Sequence, residues 1–193
     1  MPSTDIIRTF IAVEIPDDIK AAMKEVQGTL RKTVAEVGWV RPEGVHLTLK
    51  FLGGIGADII PDLGAAVEAA VGGVAPFQLS VRGVGVFPTP KAPRVVWLGV
   101  EGELDRLAEL YECVEGACEG LGFKREDRPF KPHLTLGRVK SPKGRGALVN
   151  ALTEFEGVEL GAINVESVSV MKSELRPSGA IYTEMRRISM VAG

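Results

Sequence analysis

Apolar positions along the chain change period repeatedly, and the changes mark out elements in a fixed order. Ile7, Thr9, Ile11 and Val13 alternate with Arg8, Phe10, Ala12 and Glu14, the two-residue period of a half-buried strand. Pro16 then opens a stretch in which Ile19, Met23, Val26, Leu30 and Val34 recur every three or four residues, predicting a helix. A strand follows from about Val45 to Leu52. Ile60, Leu63, Val67 and Val71 form the stripe of a second helix from Ala57 to Val71, and a strand with Phe77, Leu79 and Val81 runs from Pro76 to Phe87.

The same order then returns. Arg94 to Val100 predicts a strand, and Glu103 to Leu121 a helix with Leu104, Leu107, Tyr111, Val114, Cys118 and Leu121 in register. A strand from Pro132 to Val139, a shorter helix with Leu148, Leu152 and Phe155, and a strand from Ile163 to Val170 complete a second unit. A last strand, about Ala180 to Val191, has no counterpart. The tetrapeptide HLTL occurs in both units, at His46–Leu49 and His133–Leu136, 87 residues apart, and the other elements keep nearly that offset. The expectation is an α+β fold made from a duplicated β-α-β-α-β unit: one bilobal domain over residues 1–193, with repeat halves of about 1–90 and 91–193 jointed at the Pro-rich stretch Phe87–Pro93.

The HLTL strands hold both histidines of the chain. Strand alternation puts His46 with Thr48, and His133 with Thr135, on one face, while the leucines face the core and set the register. Two imidazoles converging across a cleft suit phosphodiester hydrolysis: one takes a proton from water and the other gives one to the leaving oxygen. Histidine populates both forms near neutrality. The threonine hydroxyls can donate to the non-bridging phosphate oxygens. No carboxylate or thiolate cluster accompanies the histidines, so the sequence implies neither metal nor cofactor.

Composition narrows the picture. The chain has 193 residues, 45% hydrophobic and 25% charged, as in ordinary globular domains. No apolar run approaches the ~20 residues needed to cross a bilayer. The N-terminus lacks a basic segment followed by a long apolar one, so no signal peptide, no membrane association and a cytoplasmic location are expected. Cys113 and Cys118 fall on one helix without metal-ligand spacing and read as small hydrophobes. The net charge of −2 argues against a broad grip on long nucleic acid. Between Lys124 and Arg145, however, eight Lys and Arg face only Glu126 and Asp127, and His133 lies in the middle.

Other residues join the candidate site by position. Lys50 follows His46 and Thr48 on the same ideal strand face. Arg138 would point away from His133 unless Gly137 marks a bulge that turns it inward. Arg128 lies upstream in the basic stretch. Arg8 and Phe10 share a strand face and could stack on a nucleobase, although core packing is the commoner fate of such a phenylalanine. Trp39 and Trp97 read as structural. Ser173 and Tyr182 lie on late strands that could line the cleft.

These segments resemble a known family. RTFIAVEIP (Arg8–Pro16), WVRPEGVHLTLKFLGG (Trp39–Gly54), PRVVW (Pro93–Trp97) and RPFKPHLTLGR (Arg128–Arg138) are similar to motif regions of the two-histidine phosphoesterases. The nearest branch is the bacterial and archaeal RNA 2′,3′-cyclic phosphodiesterases, once called 2′-5′ RNA ligases. The resemblance implies two antiparallel sheets lining a central cleft. It implies His46 as proton donor, His133 as proton acceptor, a 2′-phosphate product and phosphate binding by Arg138. Its substrate would be an RNA bearing a 2′,3′-cyclic phosphate end, or a small cyclic nucleotide, bound by a monomer. Reversible 2′-5′ RNA ligation and a non-catalytic RNA-end or nucleotide-binding module remain the alternatives.

Overall fold

The computed structural model describes residues 5–177 and 179–191. Nine strands and four α-helices follow in the order β1 (Ile6–Glu14), α1 (Asp17–Leu30), β2 (Val37–Trp39), β3 (His46–Gly56), α2 (Ile60–Val71), β4 (Phe77–Phe87), β5 (Val95–Gly102), α3 (Leu104–Gly120), β6 (His133–Val139), α4 (Arg145–Leu152), β7 (Glu159–Val165), β8 (Ser167–Arg176) and β9 (Gly179–Ser189). They form an α+β fold with two antiparallel sheets, ordered β3-β1-β8-β9 and β2-β6-β5-β4-β7. One continuous apolar core joins both sheets to the helices.

The repeat is visible in the strand order: β3-β1-β8 in one sheet corresponds to β6-β5-β4 in the other. The third strand of each half has therefore crossed into its partner's sheet. β4 comes from the first half but pairs with β5, and β8 comes from the second but pairs with β1. The sheets do not coincide with the sequence halves, and neither half could complete a sheet alone.

Two boundaries differ from the pattern reading. α1 ends at Leu30 instead of continuing to Val34, which is exposed, because the Thr33 hydroxyl donates to the Leu30 carbonyl at 2.8 Å and closes the helix. The expected Ile163–Val170 strand is two strands in different sheets. Ile163 and Val165 are buried at odd positions of β7 and Val168 and Val170 at even positions of β8, with the phase change at Glu166.

Both HLTL strands carry a β-bulge at the same place. Thr48 pairs with Ala12 and Lys50 with Ile11, leaving Leu49 unpaired. Thr135 pairs with Trp97 and Gly137 with Val96, leaving Leu136 unpaired. Leu47, Leu49, Leu134 and Leu136 are all buried, so a register slip would expose side chains worth about 2 kcal/mol each. The extra residue reverses the alternation beyond it. Lys50 therefore joins Leu49 on the core side, and the following residue, Phe51, takes the open face.

This corrects the expected role of Lys50. Its side chain is 5% exposed, and its Nζ lies 2.8 Å and 2.9 Å from the two carboxylate oxygens of Glu115 on α3. It also donates to the Lys124 carbonyl at 2.7 Å, and Glu115 accepts from the Glu126 amide at 3.1 Å. The other motif has its own brace: the buried Gln27 of α1 donates to the carbonyls of Leu136 and Val40, at 3.0 Å and 2.8 Å. Each half thus sends a buried polar side chain from its first helix to the bulge of the other half's motif strand. At the position matching Lys50, β6 has Gly137, because β2 packs there: a Cβ would lie 2.7 Å from Val37 and 3.0 Å from Trp39.

Removing one partner of the buried pair strands a charge. Lys50→Met should lower unfolding free energy by about 3 kcal/mol in urea titrations, and Lys50→Met with Glu115→Leu should regain most of it. An unchanged midpoint for the single variant would contradict this account of the pair.

Candidate active site

The bulges decide which side chains share the open face with the histidines. On β3 these are His46, Thr48 and Phe51; on β6 they are His133, Thr135 and Arg138. The two strands belong to different sheets, yet their Cα atoms approach within 8 Å. Thr48, Phe51 and Arg138 are exposed, and His46, His133 and Thr135 are half-buried.

Both imidazoles are held in the same way. His46 Nδ1 lies 3.1 Å from the Gly44 carbonyl, and His133 Nδ1 lies 2.7 Å from the Lys131 carbonyl, two residues upstream in each case. A carbonyl can only accept, so each bond places the proton on Nδ1. Nε2 is then the nitrogen left for proton transfer on each ring.

Their surroundings differ. The His46 ring meets Phe10 and Tyr182 edge-on, with centroids 5.6 Å and 5.3 Å away, and these two rings lie 5.4 Å from each other. Tyr182 can pack there because residue 44 is glycine: a Cβ would sit 2.9 Å from its ring. Burial lowers the His46 pKa below 6.5; its bond to Gly44 and the carboxylate of Glu14, its cross-strand neighbour, oppose the shift, and Lys20 adds to it. Arg187 partly neutralises Glu14 at 2.8 Å and also bonds Glu184, which accepts from Ser169. His133 has Phe87 edge-on at 5.2 Å and faces Gly99 across the sheet, a residue without a side chain.

The structure brings together most of the expected residues, but not all. Thr48, Thr135 and Arg138 share the histidine faces. Lys50 does not, as described above. Arg128 is exposed, and its Nε and Nη2 bond Glu126 at 2.9 Å and 3.2 Å, on a loop over a cavity of about 440 Å³ that contains neither histidine. Phe10 is 4% exposed and packs with Ala12 and Met171 beneath His46, so it is a support and not a stacking surface. The Arg8 guanidinium lies over Phe51 at 4.5 Å.

Much of the basic stretch is cancelled locally. Lys124 pairs with Asp127, Arg125 with Glu112 and Glu119, Arg128 with Glu126 and Lys143 with Glu36. Arg138 and Lys140 form none of the described ion pairs. Both cysteines are free, and burial pushes the Cys118 thiol up to about 11, which leaves it protonated and not nucleophilic. Among the described residues no group of three or more His, Cys, Asp and Glu could hold a metal, and no helix is long and apolar enough to cross a membrane.

Two antiparallel sheets, each with a bulged HxT strand whose histidine Nδ1 meets a backbone carbonyl, make up the fold of a two-histidine phosphoesterase. The family model of the 2′-5′ RNA ligase superfamily matches residues 15–176, and the chain belongs to that family. The chain is 40% identical to the RNA 2′,3′-cyclic phosphodiesterase of Methanothermobacter thermautotrophicus over 93% of this chain and 96% of that protein. It is 38% identical to the Archaeoglobus fulgidus protein of the same name, over 93% and 98%. The crystal structure of TT0787 of Thermus thermophilus superposes with a TM-score of 0.79 at 34% identity, covering 95% of this chain and 98% of that one. Escherichia coli LigT complexed with 3′-AMP shares the fold, with a TM-score of 0.73 at 22% identity and coverage of 97% and 100%.

Sequence reasoning passed over Phe51, Gln27 and Glu115. Phe51 was within reach, since it lies 87 residues before Arg138 and is its repeat counterpart.

The two ring environments can be read in solution. By ¹H–¹⁵N NMR, His46 should titrate with a midpoint below 6.5, and Tyr182→Ala, which admits water, should move the midpoint upward. A midpoint at or above 6.5 in the unaltered protein would contradict the desolvated site.

Proposed function

We propose that this chain hydrolyses 2′,3′-cyclic phosphate ends of RNA, or small 2′,3′-cyclic nucleotides, to 2′-phosphates without a metal. The observation that carries the reading is the matched hydrogen bonding of the two imidazoles, which leaves Nε2 of both His46 and His133 for chemistry on neighbouring strands. The names borne by the archaeal relatives support the same substrate class.

In this reaction a water oxygen attacks phosphorus and passes its proton to Nε2 of neutral His133. The bond from phosphorus to the ribose 3′-oxygen breaks, and that oxygen takes the proton from Nε2 of protonated His46. The 2′-ester bond survives. Thr48 and Thr135 donate to the non-bridging oxygens, and Arg138 balances the charge that builds on them. Desolvation favours neutral His46 in the free protein, so the charged acid is recruited by the substrate: an anionic phosphate beside the ring raises its pKa again. A rate that needs one charged and one neutral imidazole falls on both sides of a pH optimum.

Turnover of a 2′,3′-cyclic nucleotide in EDTA, giving a 2′-phosphate, is the first expected result. His46→Ala and His133→Ala should each lose about 10²- to 10⁴-fold in kcat with much smaller changes in KM. A substrate with sulfur in place of the 3′-oxygen needs no proton on its leaving group, so it should rescue His46→Ala but not His133→Ala. Rescue of His133→Ala instead would exchange the two roles. An intact cyclic phosphate with weakened binding in both variants would mean a binding module. Adding excess 5′-hydroxyl RNA tests whether a ribose hydroxyl can replace water, the step that joins ends in a ligase.

A further inference from the structure

The carbonyls that orient the two imidazoles are themselves held in different ways. Gly44 ends a 3₁₀ turn, Pro42–Gly44, whose backbone closes on itself. The Gly44 amide donates to the Arg41 carbonyl at 2.9 Å, and the Val45 amide to that of Pro42 at 3.1 Å. Lys131 has no such turn. Residues 124–131 lie outside every helix and strand, and among the described residues none of them takes part in a backbone–backbone hydrogen bond. A segment without restraint keeps its conformational freedom, and a carbonyl that wanders cannot fix the ring bonded to it.

Side chains supply the restraint, and all of them depend on α3. Glu115 of α3 accepts from the Glu126 amide at 3.1 Å, and its partner Lys50 donates to the Lys124 carbonyl at 2.7 Å. Phe130, the residue before Lys131, stacks on Tyr111 of α3, with centroids 4.2 Å apart and planes 10° from parallel. Stability alone does not call for a buried charged pair, since well-packed apolar residues of similar volume often do as well. What apolar residues could not supply is the two bonds to the backbone of the segment. Lys50 also lies on β3, the strand of His46. The pair therefore ties the strand of one histidine to the segment that orients the other, between two sheets that share no ladder.

We propose that α3 is the positioning element for His133. The Lys50–Glu115 pair and the Tyr111–Phe130 stack hold the Lys131 carbonyl, and the carbonyl holds the ring through Nδ1. This rests on the proposed reaction, and it adds the residues that place the proton acceptor. His46 needs no such device, because its carbonyl belongs to a turn that closes on its own backbone.

The test uses Lys50→Met with Glu115→Leu, the combination expected to keep most of its stability, and urea titration confirms that it is folded. Its kcat on adenosine 2′,3′-cyclic phosphate should fall about 10- to 100-fold, as for a reacting group displaced by about 1 Å, with KM little changed. Long-range ¹H–¹⁵N spectra at alkaline pH, where both rings are neutral, give the second reading. His133 should pass from the Nδ1-protonated form to a mixture of tautomers, while His46 keeps its signal. Full kcat, an unmoved His133 signal, or equal changes at both rings would overturn the positioning role. If the double variant does not fold, the same readings on Phe130→Ala decide, with the same expected outcomes. Absence of turnover by the unaltered protein would instead overturn the proposed reaction, and the tautomer of His133 would still judge the part played by α3.

Discussion

One unpaired residue in each motif strand controls what the strand presents. Leu49 and Leu136 are anchored in the core, and each leaves its neighbour on the same side, so the strand resumes its alternation one step out of phase. Without that step Lys50 would emerge beside the histidines and Phe51 would be buried; Arg138 would turn away from His133. The bulges are held from below by buried polar side chains crossing between halves, Glu115 to Lys50 and Gln27 to the Leu136 carbonyl. Removing water from such groups is expensive, and here the cost secures the positions of residues at the surface above. The exchange of β4 and β8 between sheets ties the same two motif strands into one body.

Near-symmetry and its failures both bear on the proposed chemistry. The i−2 carbonyl that orients each imidazole is duplicated, which leaves Nε2 of both rings for the proton transfers we propose. What surrounds the rings is not duplicated. His46 is packed against Phe10 and Tyr182 while His133 faces a glycine, so an identical tetrapeptide yields two differently solvated groups. Desolvation favours the neutral form of His46, so in the proposed reaction the proton it gives up must be held there by the anionic substrate. Similarly, β2 pairs with one motif strand only, and its presence requires Gly137 where the other strand has Lys50.

Much of this was legible in the sequence, for identifiable reasons. The helices and strands follow from apolar period, and the histidines and threonines from an HLTL that repeats at a fixed offset. Arg138 was legible as a conditional, since it depended on a bulge. What alternation could not show was where the pleat breaks: Lys50 looks aligned with His46 if one counts by twos, and only the pairing with β1 reveals the slip. Likewise, Gln27 and Glu115 lie among the apolar residues of amphipathic helices, and their partners are distant in sequence. The crossing of the third strands leaves no local signature at all. The phase change at Glu166, by contrast, was present in the parity of Ile163, Val165, Val168 and Val170.

In the proposed reaction two rings from opposite halves act on one phosphorus atom. A crystal structure with a nucleoside 2′-phosphate bound would show whether they do. Nε2 of His46 and Nε2 of His133 should lie on opposite sides of the phosphate, each about 3 Å from one of its oxygens. A phosphate held by only one imidazole, or seated elsewhere on the molecule, would contradict it.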